Sequence, residues 1–384
     1  MATQTDITNW REPEHNQWAF QNVDKILNTH TIKAGQATKE LSYHLRDLSR
    51  FNLSRSDQPS LDFTAWLQAT ETDGLIVLKN DKVVHETYHR TNTAASKHIL
   101  MSLTKSITGL LVGILASQGK MDVSAPITTY VPEMKGSSLE NATLRQCLDM
   151  RSGVKYDDGT HEYRAAAGWN RFRGNEEART LHTFLSSFRA DHPEKAEGVE
   201  GWPFQYASVN TDLVGWILER VTGKKYAELV SELLWQPMGA ESDALIAVDA
   251  EGSARAAGGM CVVLRDLARI GQLVLHDGDG VVPAEWIKDM LEGGSVEAFA
   301  AGPWAKGMEG SFESLSYRSF WLGDGREEVL MGLGIHGQML FADRKSKIVL
   351  ARTGSQPVGI DMQKVVLAIE GFKEVRKVLS EAGS

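Results

Sequence analysis

Ser102 and Lys105 stand three residues apart at the start of a mostly apolar stretch, 102–118, that has no proline and stops at Gly119. That pattern predicts a buried helix ended by a glycine cap. It sets the serine at the helix opening, near free backbone N–H groups, and brings the lysine to the same side one turn along. Burial among Leu103, Ile107 and Leu110 would lower the Lys105 pKa and favour a neutral amine able to take the serine proton. Ser-x-x-Lys recurs at Ser117/Lys120 and Ser152/Lys155. However, Ser117 lies at the helix end and Ser152 runs into Gly153 in a predicted loop. A capping serine beside a solvent-facing lysine is the bland alternative for Ser102 and Lys105.

Phe204-Gln205-Tyr206-Ala207-Ser208-Val209-Asn210 leads into a second apolar helix. A tyrosine there can be a half-buried anchor. Beside Ser102 and Lys105 it has another use: a phenol kept ionised by a lysine charge can deprotonate a serine and later protonate a leaving group. The residues alone leave open whether Lys105 or Tyr206 is the base.

Two other patterns resemble functional motifs without their required setting. His85-Glu86-Thr87-Tyr88-His89 matches a zinc-hydrolase pattern, which needs a helix to bring both histidines to one ion. Here it continues the β-branched Lys82-Val83-Val84. At ~3.3 Å per residue a strand would hold the two histidines about 13 Å apart, too far for bonds of about 2 Å. A zinc hydrolase using His85 and His89 is therefore a remote alternative. Gly332-Leu333-Gly334-Ile335-His336-Gly337 matches a dinucleotide fingerprint, but it opens a predicted strand rather than a helix and no βαβ unit surrounds it.

The elements that would position these residues are legible in places. Residues 74–79 and 83–88 flank Asn80-Asp81 and read as a β-hairpin. Residues 335–341 and 347–352 read as a second, and 361–379 as a helix with one apolar face. The middle of the chain, 121–260, reads as mostly helical. The opening, with Trp10 and Trp18, together with 38–53, is expected to form a wrapping arm and helix. The fold class is thus α+β: an antiparallel sheet with flanking helices from 1–105 and 265–384, and a mainly helical domain, 106–264, inserted between them.

Composition narrows the function. The chain has 384 residues, 42% hydrophobic and 24% charged, which suits a packed globular protein. Its net charge of −9 argues against a nucleic-acid partner, which would draw clustered Lys and Arg. No run approaches the ~20 apolar residues of a membrane helix. The polar opening has no secretory h-region, and Cys147 and Cys261 are the only cysteines. A cytoplasmic protein that binds a small molecule, with no cofactor or metal and a possible homodimer, is expected.

Met101-Ser102-Leu103-Thr104-Lys105-Ser106, Gly119-Lys120-Met121-Asp122, Tyr130-Val131-Pro132-Glu133, Thr143-Leu144-Arg145-Gln146-Cys147-Leu148, Arg151-Ser152-Gly153, Tyr206-Ala207-Ser208, Gly258-Gly259-Met260 and Arg265-Asp266-Leu267-Ala268 occur in this order. Together they resemble the serine β-lactamase-like superfamily of class C β-lactamases, DD-peptidases and family VIII carboxylesterases, over roughly residues 73–354. Trp10-Arg11-Glu12-Pro13, Asn16-Gln17-Trp18-Ala19-Phe20 and Gly334-Ile335-His336-Gly337-Gln338 are most similar to its 6-aminohexanoate-dimer hydrolase branch.

The resemblance implies a β-lactamase/transpeptidase-like fold and a serine hydrolase, an amidase or carboxylesterase, that forms an acyl-enzyme. Ser102 would be the nucleophile, Lys105 and Tyr206 the proton carriers, and Ser208 a hydrogen-bond partner of Lys105. The N–H groups of Ser102 and Ile335 would form the oxyanion hole. Trp169, Trp321 and His336 would line the pocket. Acyltransferase and β-lactamase activity are the alternatives on the same scaffold. Three departures bear on substrate. Gly332-Leu333-Gly334 replaces the Lys-Thr-Gly box, removing the cation that would hold a β-lactam carboxylate; Arg352-Thr353-Gly354 is a lower-ranked match to that box. Arg164 stands where the dimer hydrolases place an acidic residue, and Ala257 where a polar residue precedes Gly-Gly.

Overall fold

The computed structural model describes residues 4–56, 58–174 and 176–381. Asn80 and Asp81 both have positive φ, 49° and 65°, the twist that suits a two-residue hairpin turn. They join strands Thr72–Lys79 and Lys82–Tyr88 in antiparallel register. Strand Ile348–Gly354 pairs with the other edge of Thr72–Lys79. Early and late parts of the chain thereby share one eight-stranded sheet. Its order is Leu315–Arg318, Trp321–Asp324, Val329–Gly334, Gln338–Asp343, Ile348–Gly354, Thr72–Lys79, Lys82–Tyr88 and Ser42–Tyr43. Every pairing is antiparallel except the short last one.

The central strands are buried along almost their whole length, because helices cover both faces. Register pairs Ala342 with Val349 and Phe341 with Leu350, so Val349 and Phe341 point to opposite faces. On one face helix Leu264–Leu275 lies so close that a Cβ at Gly271 would stand 2.3 Å from Val349 Cγ1. On the other, helix Met362–Glu381 stacks Phe372 on Phe341 at 4.6 Å and 7°. Among the described residues no helix is long and apolar enough to cross a membrane.

Several sequence expectations need correction. The stretch 121–260 is not mostly helical: Ala244–Ala247 and Met260–Val262 join Thr29–Ile32 and His98–Ile99 in a second, four-stranded sheet. The run of residues 38–53 forms no helix; its Ser42–Tyr43 adds a short parallel edge strand beside Lys82-Val83. The second hairpin begins at Gln338, because Ile335–Gly337 is a turn in which His336 has φ 63°. Gly332-Leu333-Gly334 ends the preceding strand. His85 lies on a strand with its ring edge-on to Phe63 at 4.8 Å, so the helical spacing a shared zinc would need is absent.

Gly271→Ala sets two effects against each other. Alanine gains about 1 kcal/mol of helix propensity, while the new methyl group drives into Val349, which cannot move within a buried strand. Overpacking costs about 1–3 kcal/mol, so the variant should be less stable overall, read as a lower urea midpoint with an unchanged m value.

Candidate active site

The chain enters the site through the small sheet. His98 and Ile99 pair with Val262 and Cys261, and the Leu100 N–H donates to Met260 O at 2.8 Å. Met101 then takes a left-handed conformation, φ 49°, while buried against Trp10, Phe20 and Trp169. A non-glycine residue there is strained, and packing has to hold it. Ser102 lies in the single 3₁₀ turn Met101–Leu103, directly before helix Thr104–Ser117.

That helix is clamped on one side by aromatic residues. Trp286 Nε1 donates to Gly109 O and Trp321 Nε1 to Ser106 O, at 3.1 and 3.0 Å. Ser106 Oγ donates to Phe320 O. A Cβ at Gly109 would stand 2.1 Å from Ser319 O, so only glycine permits this approach. Trp321 is thus a fully buried brace beneath the nucleophile helix, not the pocket residue expected from sequence.

Lys105 is 1% exposed. Its Nζ lies 3.0 Å from Ser102 Oγ and donates to Ala257 O at 2.6 Å. Burial pulls its pKa down to about 7, with Asp158 and Asp212 opposing the shift and Arg255 adding to it. An appreciable fraction is therefore neutral amine near neutrality.

The Tyr206 ring lies 4.9 Å from Lys105 Nζ and stacks on Trp304 at 4.5 Å. Burial pushes the phenol well up, with Asp158 adding to the shift and hydrogen bonding with Ser102 and Ser208 and the charge of Arg255 opposing it. The ionised phenol considered from sequence is thus corrected to a neutral one. Ser208 also differs from expectation: its hydroxyl donates to Asp158 Oδ2 at 2.6 Å and its N–H to Oδ1 at 2.8 Å. Asp158, not Lys105, is its partner.

A buried ion pair holds the Ala257 carbonyl in place. Asp212 accepts from the Ala257 N–H at 2.8 Å, from Tyr163 Oη at 2.6 Å and from Arg255. Burial raises the Asp212 pKa while Arg255 pulls it back. Sequence reasoning missed Asp212, Tyr163 and Arg255. Asp212 lies inside a helix, Val209–Thr222, and looked like an ordinary polar position.

Ser102, Tyr206, Ser208, Trp169, Ile335 and His336 all line one cavity of about 800 Å³, of a size for a small molecule. Its floor depends on close backbone approach: a Cβ at Gly334 would stand 2.4 Å from Leu100 O. Arg352, in the alternative box, is fully buried and donates to Thr72 Oγ1 at 2.7 Å. The N-terminal arm closes one side. Trp10 meets Trp169 edge-on at 5.3 Å, Phe20 meets His336 at 5.0 Å, and Asn16 Nδ2 donates to Gln356 O at 3.1 Å.

The β-lactamase family profile matches residues 65–364. The chain belongs to the β-lactamase family, and with it to the serine hydrolases. It is 34% identical over 370 residues to 6-aminohexanoate-dimer hydrolase of Paenarthrobacter ureafaciens, covering 93% of this chain and 89% of that one. A solved structure of a candidate 6-aminohexanoate-dimer hydrolase from Bacillus anthracis superposes with a TM-score of 0.86 at 23% identity, covering 99% of this chain and 98% of the other. A D-stereospecific amidohydrolase from Streptomyces sp. shares the fold at a TM-score of 0.58 and 19% identity, covering 80% and 98%.

Replacing Arg255 by methionine should leave Asp212 buried without its counter-charge. Removing one partner of a buried ion pair costs about 3–5 kcal/mol, so Arg255→Met should lose a large part of its stability in urea denaturation. Arg255→Met/Asp212→Leu should recover only part of that loss, because the Ala257 N–H and the Tyr163 hydroxyl lose their buried acceptor.

Proposed function

We propose that the protein hydrolyses a small amide or ester through an acyl-enzyme on Ser102. The observation that carries this reading is the 3.0 Å contact between Ser102 Oγ and a lysine amine whose pKa falls to about 7. Neutral Lys105 takes the Ser102 proton as Oγ bonds to the substrate carbonyl carbon. The carbonyl electron pair moves to oxygen, where the N–H groups of Ser102 and Ile335 stabilise the oxyanion; such donors contribute several kcal/mol. Collapse re-forms the carbonyl and expels the amine or alkoxide. The proton passes from Lys105 to the leaving group, with the neutral Tyr206 hydroxyl, bonded toward Ser102, as the relay. Water then attacks the Ser102 ester, giving its proton back along the same route, and releases the acid. No cofactor enters the scheme.

The P. ureafaciens relative is named for hydrolysis of 6-aminohexanoate dimer, which supports amides as the first substrates to test. The absence of a lysine from Gly332-Leu333-Gly334 argues against β-lactam turnover. Two buried, unpaired cysteines suit a cytoplasmic enzyme.

The first test is p-nitrophenyl butyrate hydrolysis by wild type and Ser102→Ala, both shown to be folded. Wild type should turn over and the variant should not; equal rates would remove Ser102 as nucleophile. Because the base is the neutral amine, kcat/KM should rise with pH through about 7 and level off above it. A profile that is flat from pH 6 to 8 would exclude Lys105 as that base.

A further inference from the structure

The cavity brings three carboxylates, Glu12, Asp157 and Asp158, and three arginines to the acyl-transfer site. Arg11, Arg164 and Arg255 all line it. Arg255 is matched by Asp212, as Arg269 is by Asp266 and Arg318 by Asp149 elsewhere in the protein. Arg11 and Arg164 differ from these. Neither has a carboxylate within ion-pair distance among the described residues. Arg11 donates to the neutral Asn170 Oδ1 at 2.8 Å and stacks on Trp10 and Trp169, 5.3 and 5.9 Å from the ring centres. Arg164, half-buried, makes no side-chain hydrogen bond or ion pair with any described residue.

The two guanidinium groups oppose each other. Burial, then Arg164 and Arg255, pull Arg11 down to about 9. Burial and Arg255 also lower Arg164, although Asp157 and Asp158 pull it back. Those carboxylates are engaged close by: Asp158 by Ser208, and Asp157 by the Gly159 N–H at 2.7 Å. A further donor stands in the same wall. Trp169 is 5% exposed, and its indole N–H, buried beside Arg11 and Arg255, has no hydrogen-bond partner. Trp304, Met308, Leu333, Ile360 and Met362 supply an apolar part of the lining, and Glu12 a further acidic one.

Cations with no ion-pair partner, facing a space beside the nucleophile, are what an anionic group would complete. We propose that Arg11 and Arg164 bind a carboxylate on the substrate, so that the preferred amide or ester is an anionic one with an aliphatic body. This rests on the serine-hydrolase reading above and adds the substrate class to it. It also separates this enzyme from an amidase selecting a protonated amine, which the two arginines would repel.

The test uses two pairs of p-nitrophenyl or phenyl esters, matched in shape and differing in one charge. Mono-p-nitrophenyl glutarate is compared with its neutral amide, p-nitrophenyl 5-amino-5-oxopentanoate, placing the carboxylate in the acyl group. 4-Butyryloxybenzoate is compared with 4-butyryloxybenzamide, placing it in the leaving group. Wild type should prefer the anion in at least one pair by about tenfold or more in kcat/KM, the value of a charge-assisted hydrogen bond. In Arg164→Gln, and separately in Arg11→Gln, that ratio should fall toward one, and Arg164→Lys should restore part of it. Equal or reversed preference in both pairs, with turnover still lost in Ser102→Ala, overturns the carboxylate site and leaves the hydrolase reading intact. If wild type hydrolyses none of the four, the hydrolase reading fails for these esters and glutarate titration by calorimetry decides the anion site. Binding to wild type that Arg164→Gln abolishes upholds the site; no binding to wild type removes it.

Discussion

A lysine amine taken out of water is the constraint on which the rest of this structure depends. Lys105 is buried in a helix whose residues from Thr104 to Leu115 are themselves buried. A charged ammonium there lacks the water that would stabilise it, and the local acids offset only part of the loss. The site keeps the nitrogen in place through two oxygens, Ser102 Oγ and Ala257 O. One of these is the reacting atom. The other is a main-chain carbonyl whose position depends on Asp212, Arg255 and the small sheet. Proton affinity and geometry at Lys105 therefore come from the same packing.

Close approach of backbone to backbone is the second requirement. The turn that presents Ser102 sits under strand Val329–Gly334, and there is no room for a side chain where Gly334 meets Leu100 O or where Gly332 meets Ser106 Oγ, 2.9 Å from a built Cβ. Met101, strained at positive φ, is held by the aromatic cluster that the N-terminal arm brings in. The arm thus does two things at once. Trp10 and Phe20 fix the turn before the nucleophile, and Arg11 carries a charge into the cavity. A segment that the sequence reads only as a wrapping arm is structurally part of the active site.

The cavity has an electrostatic division that follows from where each wall originates. The aromatic and aliphatic wall comes from the 303–308 and 360–365 segments, which pack on the sheet side; Trp304 stacks on Tyr206. The cationic wall comes from the arm and from helix His161–Ala166, with Arg11 and Arg164. The buried Asp212–Arg255 pair is internally balanced, so a ligand meets Arg11 and Arg164 together with the carboxylates Glu12, Asp157 and Asp158. Burial lowers the His336 pKa, and Arg11 and Arg164 add to the effect, against the hydrogen bond to Gln356 O.

Local chemistry by itself determined a good deal. Apolar content without proline, closed by a glycine, fixes the nucleophile helix; Asn80-Asp81 fixes the hairpin; the Ser102, Lys105 and Tyr206 types make them candidates for acyl transfer. These features act over a few residues, where periodicity, φ preference and side-chain chemistry have their effect. What only the tertiary structure decided acts across long sequence separations. The small sheet joins residues near 30, 98, 245 and 261, and pairing partners are not written in any one strand. Ser208 could have bonded Lys105 or Asp158, and the choice came from a loop folding back over it. Trp321 matched a pocket position in sequence, but the strand's alternation turned it beneath the helix, onto Ser106 O. Asp212, Arg255 and Tyr163 looked like ordinary residues because a buried charge is legible only once its counter-charge, 43 positions away, is beside it.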